Sequence, residues 1–69
     1  MKLSARNVLK GEVVSVKRGA TTAHVRIAIG GGAVITASIT NEAVRDLRLR
    51  VGDTAYAVIK ASNVIVAKD

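Results

Sequence analysis

The chain has no cysteine, no proline, no tryptophan and no phenylalanine. Tyr56 is its only aromatic residue and His24 its only histidine. Without cysteine, disulfides and thiolate metal sites are excluded. One histidine per chain excludes a multi-histidine metal centre within a protomer. Bases of single-stranded nucleic acid need aromatic side chains to stack on, and Tyr56 alone makes no platform. The N-terminus has no apolar run of signal-peptide length, and nowhere does an apolar stretch approach the roughly 18 residues of a membrane span. A cytoplasmic location without a membrane partner is therefore the expectation.

Catalytic groups are equally sparse. Ser4, Ser15, Ser38 and Ser62 share His24 as their only histidine base, and His24 falls in mid-strand. Glu12 is also mid-strand. Glu42 and Asp46 suit a helix, Asp53 a turn, and Asp69 is the last residue. No pair of carboxylates is set up for acid–base work, so no enzyme is expected.

What is present is aliphatic and basic. Hydrophobic residues make up 49% of the 69 residues and are almost all Val, Ile, Leu and Ala, the first two of which favour strands. One domain spanning 1–69 is expected, and a domain this small hides only about 60% of its unfolded surface. Metal and disulfide being excluded, oligomerisation is the remaining source of stability. The net charge of +6 suits an anionic partner without naming it. Much of that charge is accounted for as a solvated face that keeps a Val-rich assembly soluble.

Alternation predicts a first strand over 8–17, its pattern broken by a bulge or bend near Gly11. "KRGATT" is a turn. In "AHVRIAI", Val25, Ile27 and Ile29 alternate with His24, Arg26 and Ala28, and "GGG" at 30–32 closes a hairpin onto "AVITASI". The triglycine lacks the Lys-Ser/Thr pair and the following helix of a phosphate loop. In "TNEAVRDLRLR", Thr40 or Asn41 caps a two-turn helix that plugs one end of a sheet. The acids Glu42 and Asp46 lie toward its start and Arg48 and Arg50 toward its end. "VGD" at 51–53 ends it. "TAYAVIK" and "NVIVA" are two further strands, giving an all-β chain with one short helix. That order suits a five-stranded barrel of the oligonucleotide/oligosaccharide-binding type, which also removes sheet edges.

Two short segments stand out. "SARN", Ser4 to Asn7, and "IKAS", Ile59 to Ser62, are rich in donors and lie at strand ends. Hydroxyls, an amide, cations and free N–H groups can together surround a small tetrahedral anion. A strand start and an ordinary hairpin turn would look the same from spacing alone.

"SARNVLKGEVVSVKRGATTAHV", "TNEAVRDLRLRVGDTAYAVIKAS" and "NVIVA" together resemble the molbindin, or Mop, family of small molybdate-binding proteins, over nearly the whole chain. The resemblance implies a barrel completed by strand exchange between subunits and a homohexamer built as a trimer of dimers. It implies molybdate or tungstate as bound ligand, with no organic cofactor, in a storage role for intracellular molybdenum or tungsten. Carried over, one class of site uses Ser4, Ala5, Arg6 and Asn7 of one subunit with Lys60, Ala61 and Ser62 of a neighbour. Ala5 and Ala61 act there through their N–H groups. A second class, on the threefold axis, falls to Arg18, Gly19 and Ala20. Arg45, Arg48 and Arg50 make the helix more basic than the family pattern suggests. They either concentrate oxyanions or balance the surface. The alternatives are a nucleic-acid-binding barrel, supported by charge and architecture; a swapped-hairpin DNA-binding regulator, suggested by "LRLRVGDTAYAV"; and an oligomer that binds nothing.

Overall fold

The computed structural model describes residues 1–69 throughout. The chain runs through β1 (Asn7–Arg18), β2 (Thr22–Gly30), β3 (Ala33–Thr40), α1 (Asn41–Leu47) and β4 (Thr54–Ile59), then a single 3-10 turn at Ala61–Asn63. Every strand pairing is antiparallel, in the order β3-β2-β1-β4. β1 serves two neighbours. Its first half pairs with β4, from Asn7 opposite Ile59 to Glu12 opposite Thr54. Its second half pairs with β2, from Glu12 opposite Ala28 to Arg18 opposite Ala23. Sharing one strand in this way curls the sheet.

The broken alternation of β1 has a local cause. The register with β2 steps between Val13, opposite Ile27, and Ser15, opposite Arg26. Val14 is the extra residue, so both Val13 and Val16 turn inward. The bulge expected near Gly11 thus lies a few residues later. Gly11 answers a different need: a Cβ there would lie 2.7 Å from Ile27 Cγ2 and run into the Ala28 carbonyl. At the β2–β3 hairpin, Gly30, Gly31 and Gly32 all have positive φ, of 100°, 61° and 81°, which explains three glycines in a row.

Of the two caps considered for α1, Thr40 is the one used. Its Oγ1 accepts from the Ala43 N–H at 3.0 Å. The helix ends at Leu47, earlier than "VGD", because Arg48 turns left-handed at φ 52° and donates its N–H back to the Arg45 carbonyl. Val44 is the plug, fully buried with Val13, Ala23, Val25, Ile27 and Ala57.

The fifth strand expected at "NVIVA" does not form within the protomer; the sheet has four strands. The 3-10 turn carries the tail off the sheet, and Val64, Ile65 and Val66 are 49%, 93% and 88% exposed. A strand exists only through a ladder neighbour, and this tail has none. The sheet is consequently left open between its outer strands, β3 and β4. Two adjoining apolar cavities of about 370 and 430 Å3 occupy that opening and share Ile27, Ala37, Ile39 and Tyr56.

Candidate functional site

The two donor-rich segments meet at one end of the sheet. Asn7 opens β1 and Ile59 closes β4, and the two are register partners. The Asn7 side chain donates Nδ2–H to the Ile59 carbonyl at 3.2 Å. Asn7 therefore works as a brace, fixing where both segments leave the sheet.

Those segments leave most of their backbone donors free. Lys60 supplies its carbonyl to the Asn63 N–H, and Ala61 supplies its own to Val64. The N–H groups of Ala5, Arg6, Lys60, Ala61 and Ser62 donate to no group of the protomer. Ser4, Arg6, Lys60, Ala61 and Ser62 are exposed, and Ala5 and Asn7 half-buried. Neither segment carries a carboxylate. The chemistry is donor-rich and without an anionic acceptor: six free N–H groups with that of Ser4, two hydroxyls and two cations. This surface is open, since the four cavities of the protomer all lie elsewhere.

Arg18, Gly19 and Ala20 lie at the far end of β1 and do not join that cluster. They have their own surroundings. Arg18 lines two polar cavities, one of about 420 Å3 with Asn41, Glu42 and Arg45, the other of about 230 Å3 with Lys17, Gly19, Thr22 and His24. The turn is tied down from both sides. Gly19 donates its N–H to the Thr22 carbonyl at 2.7 Å. Asn41 donates its backbone N–H to Thr21 at 2.9 Å and its side-chain amide to the Gly19 carbonyl at 3.0 Å. Asn41 Oδ1 is buried without a partner. The N–H groups of Ala20 and Thr21 remain free.

The arginine run divides into separate tasks. Arg45 lines the larger polar cavity, and its 4.0 Å contact to Asp46 is solvent-exposed on both sides and worth little. Arg48 caps the helix through its backbone, and the Arg50 N–H donates to the Asp53 carboxylate at 2.9 Å. Sequence reading missed Asn41 as the tie on the turn and missed Lys17, Thr22 and His24 around Arg18. The pairing of Lys17 with His24 across β1 and β2 would have found two of them, but it depends on the bulge that resets the register.

Residues 3–66 match the TOBE domain family. The chain belongs to the TOBE family and is of the Mop type. It is 53% identical over 66 residues to a probable molybdenum-pterin-binding protein of Haemophilus influenzae, covering 96% of each chain. It is 44% identical to molybdenum-pterin-binding protein 3 of Clostridium pasteurianum, covering 96% of this chain and 97% of that one. Among solved structures, this Mop-type fold superposes on MopII from Clostridium pasteurianum with a TM-score of 0.90 at 40% identity, covering 97% and 100% of the two chains. It superposes on the molybdate-bound form of the cytoplasmic molybdate-binding protein ModG with a TM-score of 0.90 at 52% identity, covering 94% of this chain and 46% of that one. The curled, all-β sheet with one short helix is thus the Mop architecture, and the relatives are named for binding, not for catalysis. No helix of this Mop-type chain is long and apolar enough to cross a membrane.

Proposed function

We propose that the chain captures molybdate or tungstate reversibly in a homo-oligomer, a hexamer of three dimers, and serves as an intracellular store of the metalate. The observation that carries this reading is the donor-rich, carboxylate-free surface formed by Ser4–Asn7 and Lys60–Ser62. A dianion leaving water needs its hydration replaced by donors. Charge-assisted hydrogen bonds from Arg6 and Lys60 are roughly twice as strong as neutral ones. Molybdate and tungstate are fully deprotonated near neutrality and ask only for donors. Phosphate keeps a proton there and brings a donor with no carboxylate to receive it. Sulfate is smaller and fits loosely.

An open surface cannot dehydrate an ion, so a second wall is needed. The apolar opening between β3 and β4 supplies the means of bringing one. It reaches Ile59, the residue that Asn7 holds. The aliphatic tail Val64–Ala67 of a second copy fills it as the missing strand, which seats that copy beside the donor segments. A neighbour's Lys60, Ala61 and Ser62 then complete the site begun by Ser4, Ala5, Arg6 and Asn7. The turn at Arg18, Gly19 and Ala20 forms the second class of site, on the threefold axis. Several of the relatives carry "pterin" in their names. A pterin ring calls for a flat apolar slot, and the donor surface has no aromatic or large apolar wall, so the inorganic ion is the better fit. The relationship to cytoplasmic ModG supports the same compartment here.

Native mass spectrometry with and without molybdate or tungstate tests the proposal. It should show six chains, gaining metalate in discrete steps. A lone protomer, or an assembly that takes up neither ion, refutes it. Salt-steep binding of an oligonucleotide in place of metalate would favour the nucleic-acid barrel.

A further inference from the structure

The polar cavity between β1 and β2 holds the chain's one histidine among its cations. Lys17 and His24 are register partners on the outer face, and directly opposed residues stand about 5 Å apart at Cβ. Arg18, Gly19 and Thr22 complete the lining, and no carboxylate is among these residues. From this juxtaposition we infer that His24 is an oxyanion-contacting residue of the turn site and makes capture there proton-linked, tightening as pH falls. The inference rests on the oxyanion reading above and adds to it a residue, a cavity and a pH response.

The coupling has a simple cause. A dianion seated in the cavity attracts an imidazolium more strongly than a neutral ring and accepts a hydrogen bond from it. Anion and proton therefore favour each other's binding to the same extent. Other groups around the ring leave this response to His24. Ser38 faces it from β3, and Arg26 follows two residues along the same face. Arg18 also reaches the neighbouring cavity, where Glu42 and Arg45 of α1 stand. Of these residue types only histidine ordinarily changes charge between pH 5 and 8. Molybdate itself stays fully deprotonated between pH 6 and 8, so the response belongs to the protein. The free N–H groups of Ala20 and Thr21 supply neutral donors from the same turn, which Asn41 holds rigid.

The test is calorimetry with sodium molybdate at pH 6 and pH 8 on the wild-type assembly, on Arg6→Ala/Lys60→Ala, which disables the first class of site, and on the same double variant with His24→Gln added. In the double variant, binding at pH 6 should be several-fold tighter than at pH 8. Repeating the titration in buffers of different ionisation enthalpy should show proton uptake. His24→Gln should bring the pH ratio close to one and abolish the uptake. A flat ratio in the double variant, or an unchanged ratio after His24→Gln, overturns the inference. Binding by wild type but none by the double variant overturns the turn site while sparing the first class. Absence of metalate binding by wild type at both pH values overturns the proposed function itself.

Discussion

The tail provides the sharpest test of assembly by strand exchange. Ile65 is 93% exposed, Val66 88% and Val64 49%, so in a lone protomer their trimming to alanine would be close to neutral, within about 0.5 kcal/mol. Exchange changes that expectation. Alternation places Val64 and Val66 on one side of a strand and Ile65 on the other, and only one side enters the opening between β3 and β4. Each buried CH2 contributes about 0.8 kcal/mol. Ile65→Ala removes three carbons, or about 2.4 kcal/mol per tail, and the Val64→Ala/Val66→Ala pair removes four, or about 3.2 kcal/mol. A dimer seats two tails, so the total is about 4.8 or 6.4 kcal/mol, a factor of roughly 3×10³ to 5×10⁴ in dissociation constant. Sedimentation velocity over a dilution series reads this directly. One of the two variants should dissociate at far higher concentration than wild type while the other changes little. If both behave as wild type, the tail does not fill the opening and the exchange argument fails.

Arg6→Ala and Lys60→Ala should each weaken molybdate binding by roughly 10- to 100-fold, the loss of one hydrogen bond to a charged group, with the assembly intact by light scattering. Gly11→Ala should destabilise the fold by about 1–3 kcal/mol, seen as a lower denaturation midpoint, because the new Cβ meets the Ala28 carbonyl and Ile27 with no room to retreat.

Local chemistry made much of this architecture readable. The strands centred on Val25 and Ile35, the triglycine turn and the Thr40 cap all follow from alternation, permissive backbone and capping, which are properties of short stretches. Asn7 and the donor segments were readable as residue types, and the Mop resemblance gave them a purpose. Three features were not readable because they depend on distant partners. The bulge was expected in β1, but its place at Val14 needs β2 to define it. Asn41 acts on Gly19 and Thr21, some twenty residues upstream. The tail reads as a strand by composition, yet a strand is a relation between two segments, and within one chain the second is missing.

Tyr56 acquires a practical meaning from its place on the wall of both apolar cavities, where it is half-exposed. As the sole aromatic ring, it is an intrinsic fluorophore without background. Docking of a foreign segment would dry one flank of the phenol and slow its tumbling. Emission anisotropy can therefore time subunit assembly in the unlabelled, unmutated molecule.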